Sequence, residues 1–127
     1  MPTHPTMRVL IVDDEPINRQ LISEILSGAG QTVELAVDGI AALELAGSVR
    51  FDLVLMDVRM PRMDGLEATR ALRKMPGYAL VPIVGISANA DPQDRARCLG
   101  SGMDDLVAKP SSVDSLLGAL AGWLDEA

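Results

Sequence analysis

The sequence predicts an α/β fold in which a single doubly wound sheet of five parallel strands is covered on both faces by five helices. Three observations predict it. Apolar runs of strand length alternate along the chain with segments of helical periodicity. Most of these runs are nearly continuous rather than alternating, as strands buried on both faces require. Most also end in polar residues, which in a parallel sheet share one edge, the edge where ligand chemistry sits in such folds.

Each element has its own justification. MRVLIV (7–12) is a short apolar run ending at Asp13-Asp14 and reads as a buried strand. EPINRQLISEILSGAG follows as a helix, with Pro16 suited to a first helical position and Gly28 and Gly30 to a stop. Its stripe is Leu21, Ile22, Ile25 and Leu26. TVELAV (32–37) alternates loosely as a strand, and DGIAALELAG is a helix stopped near Gly47. FDLVLMD (51–57) is a strand with almost no polar side chain before its end. After a loop containing MPRM, Asp64 can cap a helix through LEATRALRK, which Met75-Pro76-Gly77 stops. VPIVGISA (81–88) is a fourth strand, DPQDRARCLG a helix opening on Asp91 and Pro92, and MDDLVAK (103–109) a short fifth strand. SVDSLLGALAGWLDE closes the pattern as a helix capped by Ser111 or Ser112.

Composition bounds the function. With 127 residues the chain suffices for one domain with one core, and 48% hydrophobic against 23% charged residues fits a globular protein. Aromatics are only 2%, so the core is aliphatic. Eleven basic and eighteen acidic side chains give a net charge of −7, which disfavours phosphate backbones, and few aromatics remain to stack on bases. Direct nucleic-acid binding is not expected. Cys98 is alone and reads as a small core hydrophobe. No run is long enough for a membrane span and no signal-peptide core is present, so a cytoplasmic setting is expected. His4, the only histidine, lies in the leading MPTHPT, which removes histidine chemistry from the domain itself.

The strand ends carry the chemistry. Asp13 and Asp14 end the first strand, Asp57 the third, Ser87 the fourth and Lys109 the fifth. Each alone has a plain reading, as a helix N-terminal charge, a loop cap, a loop hydroxyl or a solvated ammonium. Together they converge. Three carboxylates and one ammonium leave a local charge of −2. Like charges at about 4 Å and an effective dielectric of ~20 repel by on the order of 4 kcal/mol. A proton or a divalent cation must therefore be bound. Oxygen ligands without His or Cys suit Mg²⁺ rather than zinc. A carboxylate beside Mg²⁺, a lysine and a hydroxyl is equipped for covalent phosphoryl transfer, with Asp57 as nucleophile.

The segments VLIVDDEPINRQL, LVLMDVRMPRMDGLEATRALR, VPIVGISA and GMDDLVAKP, in this order and spacing, resemble the receiver domains of two-component response regulators. DDEPINRQL and GMDDLVAKP look most like receivers of hybrid histidine kinases and phosphorelays. The resemblance runs from about Met7 to Trp123. It implies a flavodoxin-like strand order 2-1-3-4-5, with a tail over 1–6 and a receiver domain over 7–124; the last helix ends two or three residues before the terminus, so no effector domain is expected. It implies Asp57 as phosphoacceptor and Asp13 and Asp14 as the acidic pair. Asp14, Asp57 and the backbone carbonyl of Arg59 would ligate Mg²⁺. Ser87 would be the switch hydroxyl and Lys109 the phosphate-binding lysine, with a cis Lys109–Pro110 bond. The donor would be a phosphohistidine on a histidine kinase or a histidine phosphotransfer domain, docking near the active edge and the first helix. Ile17 is either a contact there or core. A downstream protein target would read the phosphorylated state.

Two features depart from the usual family pattern, one at Leu106 and one at Arg59 and Asn89. Leu106 stands where an aromatic switch residue is common, three before the lysine. Arg59 and Asn89 flank the phosphate position; Arg59 either shields the acyl phosphate or pairs with an acidic neighbour. Three other functions compete. A Mg²⁺-dependent phosphatase with an aspartyl nucleophile often carries a second Asp two residues on, where Arg59 stands here. A phosphorylation-independent interaction module is disfavoured by the intact Asp57, acidic pair and Lys109. A flavodoxin-like cofactor binder lacks its glycine-rich phosphate loop. The expected activity is phosphate acceptance with self-dephosphorylation, not turnover of an external substrate, by a chain that works alone or as a fragment of a larger one.

Overall fold

The computed structural model describes residues 6–60, 63–88, 91–109 and 113–124. In chain order the elements are β1 (Arg8–Val12), α1 (Pro16–Gly28), β2 (Thr32–Ala36), α2 (Gly39–Ser48) and β3 (Leu53–Asp57), then α3 (Gly65–Arg73), β4 (Ile83–Ser87), α4 (Pro92–Gly100), β5 (Asp105–Ala108) and α5 (Val113–Leu124). The strands form one sheet in the order β2-β1-β3-β4-β5, every neighbouring pair parallel. This is the expected architecture.

The period-two geometry of the strands divides the core into two layers. Val9, Ile11, Leu53, Leu55, Val84 and Ile86 face one side, with Ile22, Ile25 and Leu26 of α1 and Leu116 and Leu120 of α5. Leu10, Val12, Val54, Met56 and Ile83 face the other, under Ala42 and Ala46 of α2, Leu66, Ala68 and Leu72 of α3 and Cys98 of α4. Every residue of β3 and β4 is buried, which is why those stretches read as unbroken apolar runs. β2 lies at the sheet edge, so its run alternates and leaves Leu35 and Val37 exposed.

The helix starts obey the local signals. Asp64 accepts from the Glu67 N–H at 2.9 Å while the Glu67 carboxylate accepts from the Asp64 N–H at 3.4 Å, a complete capping box. Asp38 and Asp91 cap α2 and α4 through the N–H groups of Ala41 and Asp94, each at 2.8 Å. Pro16 opens α1, and Gly30, just beyond its end, takes a φ of 92°. The fifth strand begins two residues later than the expected 103–109, because Asp104 is committed elsewhere. Its carboxylate accepts from the Ile83 N–H at 2.9 Å and pairs with Arg73 at 2.8 Å. The leading residues 1–5, the cap at Ser111 or Ser112, Asn89 and the Pro110 side of the cis bond all lie outside the described residues.

One glycine places the site. α3 starts so close to the end of β3 that a Cβ on Gly65 would overlap the Asp57 carbonyl oxygen and lie 3.0 Å from Met56 Cγ and Val58 Cα. Two of these obstacles are backbone, so they cannot rotate away. Gly65→Ala is therefore expected to destabilise the protein by about 2–3 kcal/mol in denaturant unfolding. Gly118→Ala is the contrast. Gly118 lies within α5 with nothing within 4 Å of its added Cβ, and the change should stabilise by about 0.5–1 kcal/mol.

Candidate functional site

The carboxyl ends of β1 and β3 lie side by side, Val12 opposite Met56, so the residues following them meet at one edge. Asp13 and Asp57 are 1% and 3% exposed, whereas Asp14 faces solvent. One carboxylate oxygen from each of the three lies within 4.8 Å of the other two. Asp13 is held firmly. Its N–H donates to the Ala36 carbonyl at 3.1 Å, its carbonyl accepts from Arg19 Nη1 at 2.8 Å, and Oδ1 accepts from the Glu15 N–H at 2.9 Å.

Asp57 is less well satisfied. Oδ1 accepts a long 3.4 Å bond from the Arg59 N–H, and Lys109 Nζ stands 3.6 Å from Oδ2. Oδ2 of both Asp13 and Asp57 is buried without a hydrogen-bond partner. Burial first, and the Asp13 carboxylate second, push the Asp57 carboxyl up to about 7, with Lys109 only partly opposing them. Two buried, orphaned carboxylate oxygens beside a third carboxylate form an all-oxygen donor set, which fits a hard divalent cation. The predicted charge imbalance is thus present in the geometry.

β4 and β5 bring in the other two predicted residues. The Lys109 N–H donates to the Ser87 carbonyl at 2.8 Å, closing the ends of the two strands together. Ser87 is 3% exposed, and Ile86 beside it accepts from the Val58 N–H at 3.0 Å. Asp13, Asp14, Asp57, Ser87, Lys109 and the Arg59 backbone therefore share the edge expected for them. Leu106 does not. It is buried with Met103 and Cys98 beneath α4, and its Cδ1 lies 3.1 Å from where a Cβ on Gly85 would be. Ile17, left open between contact and core, is 78% exposed.

Arg59 also resolves between its two readings in this state: its guanidinium pairs with Asp94 of α4 at 3.7 Å. Asp94 was not among the sequence candidates. Its only local sign is the Asp91-x-x-Asp94 spacing at a helix start, which predicts an N-terminal charge but no partner 35 residues away. Gly65 was missed too, since a glycine after a capping Asp reveals nothing about what it packs against.

Comparison with known proteins agrees with this geometry. The family model for the response regulator receiver domain matches residues 9–121. The sensor histidine kinase RcsC of Salmonella typhi is 44% identical over 119 residues, covering 94% of this chain and 12% of that protein. The signal transduction histidine-protein kinase BarA of Escherichia coli K12 is 39% identical over 110 residues, 87% of this chain and again 12% of that protein. The chain thus spans a small part of these curated relatives. Among solved structures, chemotaxis protein CheY4 of Vibrio cholerae superposes with a TM-score of 0.88 at 35% identity, covering 92% of this chain and 98% of that one. The receiver domain of the sensor histidine kinase PA1611 of Pseudomonas aeruginosa, which has a magnesium ion coordinated in its active-site cleft, superposes at 0.85 with 38% identity, covering 96% of this chain and 100% of that one. A family match over most of the chain, a shared fold and an acidic edge at the carboxyl ends of β1 and β3 lead to one conclusion: the chain belongs to the response regulator receiver domain family of two-component signalling.

Proposed function

We propose that Asp57 accepts a phosphoryl group from a phosphohistidine, and that the resulting aspartyl phosphate switches a partner-binding surface or is relayed onward. The observation that carries this reading is the buried Asp57 carboxylate, with Oδ2 unpartnered and Lys109 Nζ 3.6 Å away. An Asp57 oxygen attacks phosphorus, the P–N bond breaks, and the imidazole leaves with its electron pair. Lys109 neutralises charge on the transferred oxygens, and Ser87 engages one of them afterwards. Asp13, Asp14, Asp57 and the Arg59 carbonyl are the residues that would hold Mg²⁺, which supplies further charge neutralisation when bound. The raised Asp57 carboxyl fits this reading, because the cation replaces the proton that the metal-free site otherwise retains near neutrality.

The phosphodonor would be a histidine kinase or a histidine phosphotransfer domain. Ile17 and Leu21 of α1, Leu35 of β2 and Val37 just beyond it are exposed apolar side chains, and Ile17 opens the helix that follows the acidic pair Asp13–Asp14. Such a patch fits the apolar face of a donor's helix. Residues 7–124 form the receiver unit in this reading, which dephosphorylates itself without turning over an external substrate. No helix among the described residues is long and apolar enough to cross a membrane. A phosphohistidine donor charged from ATP gives the proposal a cytoplasmic setting.

Three measurements test the reading. A small acyl-phosphate donor with Mg²⁺ should add one phosphoryl group on Asp57, seen by intact mass and fragment mapping, and Asp57→Asn should abolish it; unchanged labelling of that variant would sink the assignment. Apparent Mg²⁺ affinity should weaken about tenfold per pH unit below about 7, as one proton competes for the site. Stability follows the same titration with a definite sign. A carboxyl whose folded-state value lies above its unfolded 3.8 keeps its proton in the folded state, so metal-free stability is lost as pH rises from about 4 to about 7. Asp57→Asn removes that loss, and without metal it should gain about 2 kcal/mol more stability at pH 8 than at pH 5. Added Mg²⁺ should stabilise the wild type but not the variant.

A further inference from the structure

The pair between Arg59 and Asp94 joins two elements that the phosphoryl chemistry does not otherwise connect. Arg59 lies two residues beyond Asp57, and its N–H already bonds Asp57 Oδ1. Its guanidinium, on a side chain 70% exposed, reaches across to Asp94 Oδ1 at 3.7 Å in the first turn of α4. Asp94 has a second cation, since Arg97 Nη1 lies 3.3 Å from the same oxygen. The Asp94 side chain is 9% exposed, so it needs a partner at all times. Arg97 supplies one when Arg59 leaves.

Charge decides where Arg59 goes. In the structure Arg59 sits against a carboxylate it shares with Arg97, while Asp57 already faces Lys109 Nζ at 3.6 Å. An aspartyl phosphate carries a charge near −2 and exposes three acceptor oxygens, which a guanidinium binds through paired donors. At 3.7 Å, with the Arg59 side chain 70% exposed and Arg97 keeping Asp94 partnered, the Arg59–Asp94 pair contributes little net stability. The exchange therefore meets little resistance.

We propose that Asp94 is a positioning residue for Arg59, holding its guanidinium off the acceptor until Asp57 is phosphorylated. The guanidinium then moves onto the phosphoryl oxygens and releases its tie to α4. This rests on the reading of Asp57 as phosphoacceptor. On the phosphoryl group, Arg59 shields phosphorus from water. Asp94 competes for the same cation, so it shortens the life of the aspartyl phosphate.

The test is the half-life of the aspartyl phosphate on the intact chain in Mg²⁺, after removal of the acyl-phosphate donor, with the label mapped in each variant. Asp94→Asn should lengthen the half-life about two- to five-fold, the range set by releasing one exposed ion pair. Arg59→Ala should shorten it, and adding Asp94→Asn to Arg59→Ala should have no further effect. Asp94→Glu, which keeps the charge, should return the half-life toward wild type. A purely structural Asp94 would give effects that persist in the Arg59→Ala background, and that outcome overturns the proposal. So does a half-life indifferent to Arg59→Ala. Label mapping to a residue other than Asp57 overturns the underlying reading as well, which distinguishes the two failures.

Discussion

Mutual repulsion of carboxylates at the end of a buried sheet is the constraint around which this structure is arranged. Asp13 and Asp57 are almost wholly inaccessible, they share an edge with Asp14, and a single ammonium stands against them. Left to itself the edge would splay or protonate. It does not splay, because the adjoining backbone is fixed on every side: Asp13 to Ala36, Val58 to Ile86, and Lys109 to Ser87. The parallel sheet thus acts as a frame that keeps like charges closer than they would choose and out of water, and burial first, with the Asp13 carboxylate second, pushes the Asp57 carboxyl up to about 7.

That frame depends on packing with little slack. The two apolar layers are filled by side chains of alternate parity along β1, β3 and β4. The loop after Asp57 doubles back tightly, the Gly65 N–H donating to the Val58 carbonyl at 2.9 Å, and only a residue without a side chain fits there. The electrostatic frustration of the edge is local, and the rest of the molecule is consistent with it.

What was legible in the sequence was what local rules govern. The apolar runs of β3 and β4, the caps at Asp64 and Asp91 and the proline opening α1 are all written in a few adjacent residues. Convergence of Asp13, Asp57, Ser87 and Lys109 was legible too, because a parallel sheet sends every carboxyl end to one edge. Side-chain ties across the fold were not. Arg73 donates to the carbonyls of Gly102, Tyr78 and Val81 and pairs with Asp104, yet in sequence it is one more basic residue near a helix end. Arg59 is the same case: its pairing with Asp94 is made by a side chain across the fold, and no periodicity encodes that. Leu106 was noticed for what it is not, an aromatic. Its actual place, against Gly85 under α4, depends on residues from two strands and a helix.

The burial of β3 on both faces has a mechanical meaning. A central strand flanked by β1 and β4, with every side chain inaccessible, behaves as an anvil: charge added at its tip cannot be absorbed by yielding of the strand itself. Strain must travel outward, to parts bound by solvent-accessible ties. α4 is such a part, held to its surroundings by Arg59 and, through Arg95, by Asp105 at 2.9 Å. The centre is thus stiff, and the rim, tied through exposed side chains, is more compliant. Substitution along the rim therefore reaches the centre only through side-chain ties such as Arg59–Asp94, not through the strand.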